Sequence, residues 1–265
     1  MYSNFQLGRK YLQYFLTASN GKGHGIHSPF VFDFVKNILN DRRDFYAFTP
    51  IENLRKELLI DKTLIDVNDL GAGSSSKKNN QRTIAEIAKK SLKPKKLGQL
   101  LFRIVDHFRP KTIVELGTSL GITTAYLAAA NGAGKVFTIE GADRVADVAQ
   151  KNFDRLNLYN TTLIRGNFDE KLRPVLNELL DIDLAFVDGN HRLEPTLKYF
   201  DLLLRYSNEN TILIFDDIHW SREMEVAWEQ IKKADAVTCT VDLFFLGFVF
   251  FRKEFKERQH FAVRF

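Results

Sequence analysis

From residue 97 onward, apolar segments of strand length alternate with segments of helical period, and that alternation leaves few folds open. A helical stretch places Leu97, Leu100, Leu101, Ile104, Val105 and Phe108 on one face and stops at Arg109-Pro110, because a residue before proline is pushed out of the helical region. Strand-like runs follow at Thr112 to Leu116, Lys135 to Glu140, Thr161 to Arg165, Leu184 to Asp188 and Thr211 to Phe215. Helical stretches lie between them at 120–130, 142–156, 195–206 and 221–233. Strands joined by crossover helices run parallel. The last two apolar runs, 236–241 and 246–252, are too close for a crossover and predict an antiparallel hairpin at the sheet edge. The expected fold is therefore α/β, a Rossmann-like, doubly wound, mostly parallel sheet of seven strands with a C-terminal antiparallel hairpin.

Residues 1–95 show no such alternation. Phe30 to Leu39 has helical spacing behind Ser28-Pro29, a serine and proline that start helices well. The reading is a mainly helical N-terminal subdomain over 1–95, serving the substrate, a lid or oligomerisation, and a catalytic domain over 96–265.

Charge and cysteine content narrow the function classes. The net charge of +5 is local: residues 77–96 hold eight Lys or Arg against Glu86 alone, so the remainder of the chain is slightly acidic. Such a run reads as a solvated basic face or lid, with an anion-binding role as the alternative. The lone cysteine, Cys239, sits in an apolar strand-like setting and reads as a structural thiol, which fits a reducing cytoplasm. The N-terminus lacks the apolar stretch of a signal peptide, and the longest apolar run, Leu243 to Phe251, falls far short of the roughly 20 residues that span a bilayer. No membrane association is expected, and a homodimer is allowed for.

The strand at 112–116 leads through Glu115-Leu116-Gly117-Thr118-Ser119-Leu120-Gly121 into a helix. Glycines in a strand-to-helix loop let a ligand approach the backbone N–H groups. A dinucleotide loop wants G-x-G-x-x-G, whereas Gly117 and Gly121 give G-x-x-x-G, which favours a nucleoside without a pyrophosphate. The second strand ends in Glu140, placed to accept hydrogen bonds from ribose hydroxyls. An ordinary strand-end or helix-capping acid is the plainer alternative.

Taken with Phe186-Val187-Asp188-Gly189-Asn190-His191 and Ile214-Phe215-Asp216-Asp217, this loop and Glu140 resemble the class I S-adenosylmethionine-dependent methyltransferases. Within that class the likeness is to the small-molecule O-methyltransferases related to catechol O-methyltransferase, over about residues 97–252. The resemblance implies that Glu115, Gly117, Thr118, Ser119 and Gly121 surround the methionine part of S-adenosylmethionine, and that Glu140 holds the ribose. It further implies that Asn167 and Phe168 lie near the adenine, with a plain polar turn as the equal alternative for that pair, and it adds Asp188 to the cofactor contacts.

Asp188, Asp216 and Asp217 each follow or end a strand, so they should meet at the carboxyl edge of the sheet, where open α/β sheets bind ligands. Clustered acids repel unless they hold a cation or share a proton, and hard oxygens suit Mg²⁺, Mn²⁺ or Ca²⁺. The resemblance implies a divalent cation there, Mg²⁺ first, that lowers the pKa of the acceptor's hydroxyl. In the catechol enzymes the third ligand is an asparagine, where this chain has Asp217. The plainer alternative has Asp216 capping the next helix and Asp188 ordering a loop. His191 occupies the position of the catechol enzymes' general-base lysine and is assigned, with Asp188, to catalysis. Its plainer role is to cap the helix that starts at Arg192.

Two patterns compete for the same functions. Asp69-Leu70-Gly71-Ala72-Gly73-Ser74 imitates a cofactor loop but has no acid-ended strand behind it, and His24-Gly25-Ile26-His27 lacks the i, i+4 pairing of a zinc helix. His219 and Trp220 are candidates for a substrate wall, while Trp228 has core spacing. The function expected is metal-assisted O-methylation of a small hydroxylated metabolite. The alternatives are nucleic-acid methylation, for which the core lacks a basic stripe with interleaved aromatics, and a non-catalytic S-adenosylmethionine-binding protein.

Overall fold

The computed structural model describes residues 1–67 and 81–265. In chain order the helices are α1 (Asn4–Thr17), α2 (Pro29–Phe34), α3 (Phe48–Leu58), α4 (Ile84–Ser91), α5 (Lys95–Phe108), α6 (Ile122–Ala130), α7 (Asp143–Arg155), α8 (Phe168–Leu179), α9 (Leu193–Leu204) and α10 (Arg222–Lys233). The strands are β1 (Leu64–Asp66), β2 (Gln81–Thr83), β3 (Thr112–Leu116), β4 (Lys135–Glu140), β5 (Thr161–Arg165), β6 (Ile182–Val187), β7 (Ser207–Asp216), β8 (Cys239–Asp242), β9 (Leu246–Phe250) and β10 (Gln259–Ala262). The contacts divide the chain into two units, residues 42–179 and residues 1–41 with 180–265.

In the unit of residues 42–179, β3, β4 and β5 are parallel neighbours, with Val114 opposite Phe137 and Glu140 opposite Arg165. The apolar period at 97–108 becomes α5, whose Leu100, Leu101, Ile104 and Val105 are fully buried, each contributing about 1.5–3 kcal/mol of hydrophobic stabilisation. The helix ends on Arg109 in the left-handed region, φ 51°, directly before Pro110. α6 carries almost no polar face and is buried along nearly its whole length. Its Tyr126 lies so close to α5 that a Cβ on Gly98 would stand 2.6 Å from the ring, so a glycine is required at that crossing. Its hydroxyl donates to Glu52 of α3 at 2.6 Å.

Two elements of this unit depart from the expectation. β1 and β2 form a small antiparallel hairpin inside the stretch read as helical; at three residues per strand they carry no readable period. α8 runs through Pro174, where a proline reads as a break.

In the other unit the strand order is β10-β8-β9-β7-β6. β6 and β7 are parallel, and β7, β9 and β8 are antiparallel in turn, so the predicted hairpin is present. β10 adds an eighth strand to the expected seven. It lies parallel to β8, Gln259 opposite Cys239, after the charge-rich run 252–258. Here Phe248, Phe250, Phe215 and Phe186 are all buried. Gly247 is open to Trp228, whose ring would stand 2.7 Å from an added Cβ; Trp228 is therefore packing, as its spacing predicts. Cys239 is buried and its thiol is pushed up to about 12 by burial, which leaves it unreactive. Among the described residues no helix is long and apolar enough to cross a membrane.

Candidate active site

The loop after β3 is built almost wholly by backbone hydrogen bonds to the neighbouring strand. Gly117 and Thr118 donate their N–H groups to the Ile139 carbonyl at 3.1 and 3.3 Å. Ser119 donates its N–H to Glu140 Oε2 at 2.8 Å, and Ala142 donates to Glu140 Oε1 at 2.9 Å. Gly117 (φ 102°), Ser119 (φ 48°) and Gly121 (φ 81°) all have positive φ, which a glycine adopts without the strain that Ser119 bears. Ser119 Oγ also meets Ser91 Oγ, at the end of α4, at 2.7 Å.

Three expected contacts gain a more specific structural role. Glu115 is fully buried and accepts hydrogen bonds from the Thr124 and Thr138 hydroxyls; it braces the loop from beneath, where the sequence placed it against the methionine. Gly121 is packed closely against the protein, since a Cβ there would stand 2.6 Å from Phe153 of α7. Asn167 acts as a cap: its Oδ1 accepts from Asp169 N–H at 2.9 Å, and its carbonyl from Glu170 and Lys171. Gly166 donates to the Glu140 carbonyl at 2.9 Å, so Asn167 and Phe168 begin where the Glu140 strand end leaves off.

Glu140 is half-buried, with one backbone donor on each oxygen. A carboxylate at this strand end is a hydrogen-bond acceptor of the kind that a ribose hydroxyl pairs with. These residues fit an adenosine-type cofactor.

In the other unit, β6 delivers Asp188 and β7 ends on Asp216. Donor atoms of Asp188, His191 and Asp216 all lie within 4.8 Å of one another, with His191 Nε2 3.5 Å from Asp188 Oδ1. Asp216 is buried, while the side chains of Asp188 and His191 are 15% and 27% exposed, which leaves the triangle open on one side. Asp217 does not complete such a triangle among the described residues. Its backbone is left-handed (φ 54°) and closes the turn, N–H to the Phe245 carbonyl at 2.7 Å and carbonyl to Trp220 N–H at 2.9 Å.

Neither capping alternative describes these residues. Arg192 is the N-cap of α9 with no side-chain cap, and the Leu193 N–H is taken by Glu223. α10 is capped by Ser221, whose Oγ accepts from Met224 N–H. Burial pulls the His191 pKa down, but the hydrogen bond to Asp188 and the charges of Asp188, Asp216 and Asp217 outweigh it, and the net direction is up.

His219 belongs to a different arrangement. Its Nε2 lies 2.8 Å from Asp242 and its Nδ1 3.3 Å from Glu225, and its ring stacks on Phe244. Glu225 also accepts from the Tyr2 hydroxyl and from Lys10, which ties α1 down. These pairs lie more than 200 residues apart in sequence and no motif announces them. The Gly71-to-Ser74 loop lies outside the described residues, as do Lys77 and Lys78 of the basic run; Lys89, Lys90, Lys95 and Lys96 are exposed. His24 and His27 are also exposed and join no metal-binding group among the described residues.

Residues 114–218 match a protein family described as a methyltransferase domain. The chain is 32% identical over 127 residues to a catechol O-methyltransferase of Niastella koreensis, covering 46% of this chain and 55% of that one. A mimivirus protein of Acanthamoeba polyphaga, uncharacterized, is 28% identical over 132 residues, 45% of this chain and 58% of its own. The chain thus spans about half the length of these curated relatives. Among solved structures, the O-methyltransferase from Bacillus cereus in complex with S-adenosylhomocysteine superposes with a TM-score of 0.56 at 19% identity, over 83% of this chain and 96% of that one. The S-adenosylhomocysteine-bound methyltransferase of Podospora anserina gives 0.60 at 12% identity, over 96% and 98%. The likeness to class I O-methyltransferases read from the sequence is borne out, and the fold is theirs.

Proposed function

We propose that this methyltransferase-domain chain is an S-adenosylmethionine-dependent O-methyltransferase acting on a hydroxyl of a small molecule, assisted by a divalent cation at the acid cluster. The observation that carries the reading is Glu140, a half-buried carboxylate locked by two backbone N–H groups at the end of the strand beside the glycine loop. The fold of the S-adenosylhomocysteine-bound neighbours and the partial likeness to a catechol O-methyltransferase support it.

Bound at this loop, S-adenosylmethionine would supply a methyl group made electrophilic by its sulfonium. The chain's own part is to hold and orient. Glu140 accepts the ribose hydroxyls, the turn at Thr118 and Ser119 borders the methionine part, and Asn167 and Phe168 border the base. The acceptor hydroxyl lies against Asp188, His191 and Asp216 and, with its pKa lowered there, gives its proton to solvent water. The donor set, one imidazole nitrogen and two carboxylates, fits a divalent ion, which would supply Lewis acidity that lowers the hydroxyl pKa.

Calorimetry with S-adenosylhomocysteine, followed by a panel of catechols, phenols and sugars with labelled cofactor, tests the proposal. Micromolar binding and methylation of a hydroxyl are expected. Failure to bind the nucleoside would end it, and binding without transfer to any hydroxyl would favour a non-catalytic cofactor-binding protein.

A further inference from the structure

We infer that His191 is a metal ligand, so that the cation site takes a later first-row transition-metal ion such as Co²⁺, Ni²⁺ or Zn²⁺ through one imidazole nitrogen and the carboxylates of Asp188 and Asp216. This deepens the metal-assisted reading by naming the ion's class and its third ligand, and its test does not pass through methyl transfer.

The geometry comes first. Metal bonds of about 2.1 Å put adjacent ligand atoms roughly 3 Å apart and opposed ones a little over 4 Å. His191 Nε2 already stands 3.5 Å from Asp188 Oδ1, and the whole triangle closes within 4.8 Å. Small side-chain rotations bring it to binding distance. Among the described residues the third acid that the sequence offered, Asp217, is not part of the triangle; its backbone closes the turn with Phe245 and Trp220.

The chemistry follows from the donors. Mg²⁺ and Ca²⁺ are held by hard oxygens, whereas imidazole suits later first-row ions. A mixed nitrogen and oxygen set of three side chains among the described residues leaves coordination positions for water and an acceptor oxygen, as catalytic metal sites do. The plainer role for His191, capping α9, is absent, since that helix starts without it. A ring nitrogen that binds an ion cannot also take the acceptor's proton, so the general-base role expected from sequence gives way to a ligand role.

The test uses the full chain stripped of metal with a chelator, titrated with Co²⁺ and separately with Mg²⁺ by calorimetry, with the Co²⁺ visible spectrum recorded in parallel. Any site favours Co²⁺ over Mg²⁺ to some degree, so the variants decide. His191→Ala should weaken Co²⁺ binding by about 30-fold or more and change its absorption bands, and should alter Mg²⁺ affinity by less than about threefold. Asp217→Asn should leave both nearly unchanged, while Asp216→Asn should weaken both. Far-ultraviolet circular dichroism confirms that each variant folds. The inference falls if wild-type binds no Co²⁺, if His191→Ala leaves affinity and spectrum unchanged, or if Asp217→Asn costs more than His191→Ala. S-adenosylhomocysteine titrated into the same samples separates the two proposals, because lost nucleoside binding with intact Co²⁺ binding would end the methyl-transfer reading alone.

Discussion

The loop from Glu115 to Gly121 and the triangle of Asp188, His191 and Asp216 both stand at the carboxyl ends of parallel strands, yet opposite forces hold them. The loop is fixed by neutral backbone hydrogen bonds to β4, by Glu115 locked beneath it, and by Gly121 packed on Phe153. It is preorganised, so little ordering entropy remains for a ligand to overcome. In the triangle, two carboxylates and an imidazole are brought within 4.8 Å, an arrangement whose repulsion is relieved by a proton or a cation. The two should therefore separate in experiment: one sets nucleoside affinity and is indifferent to metal, the other sets turnover and responds to metal.

The largest effect expected is at the triangle. Asp216→Asn removes one of its charges from a buried position, and turnover should fall by about 10²- to 10³-fold while S-adenosylhomocysteine affinity stays within about threefold. A parallel loss of nucleoside affinity would break the separation. Next comes Glu140→Gln, which keeps the shape but gives up the charge that strengthens hydrogen bonds to hydroxyls. Nucleoside affinity should drop by about 10- to 100-fold by calorimetry, with Co²⁺ binding unaltered. Loss of Co²⁺ binding in that variant would show that the regions are not independent.

What was readable in the sequence divides along the same line. The β3, β4 and β6 runs are buried strands with long apolar stretches, and Glu140 and Asp188 mark their ends, so local pattern was enough to place both. α8 was missed because Pro174 reads as a break, and β10 because four residues after a charged run, three half-buried and one exposed, are too few to carry a readable period. Gly121 was visible, but whether its bareness serves a ligand or Phe153, 32 residues away, depends on how α7 packs. The grouping of His191 with Asp188 and Asp216 and the left-handed turn at Asp217, φ 54°, are features that no spacing rule encodes. The union of Tyr2, Lys10, Glu225, His219 and Asp242 joins the two ends of the chain and leaves no local trace.

A third substitution probes the packing side of the comparison. Gly121→Ala adds a Cβ 2.6 Å from Phe153 and forces a non-glycine residue to φ 81°, which should cost about 2 kcal/mol or more of stability in denaturant unfolding. Pairing it with Phe153→Leu should recover the part owed to the clash and leave the part owed to φ. Full recovery would mean that the left-handed backbone carries no strain, and no initial loss would mean that the loop is softer than its hydrogen bonds imply.

The smallest effect concerns whether charge control extends past the triangle to His219. Burial lowers its pKa, but the hydrogen bond and charge of Asp242, then those of Glu225, raise it further, so the folded value lies above the ordinary one. The folded state thus holds the proton more tightly than the unfolded chain, and stability must fall as pH rises. That contribution is complete below the unfolded value near 6.5 and is lost as pH climbs through the raised folded value. Because Glu225 also binds Tyr2 and Lys10, α1 should loosen over the same window, seen as faster hydrogen exchange in residues 4–17. His219→Gln should flatten the fall in stability above neutral pH while leaving the nucleoside affinity of the loop untouched. A wild-type curve already flat there would place His219 outside the charge-held part of the molecule.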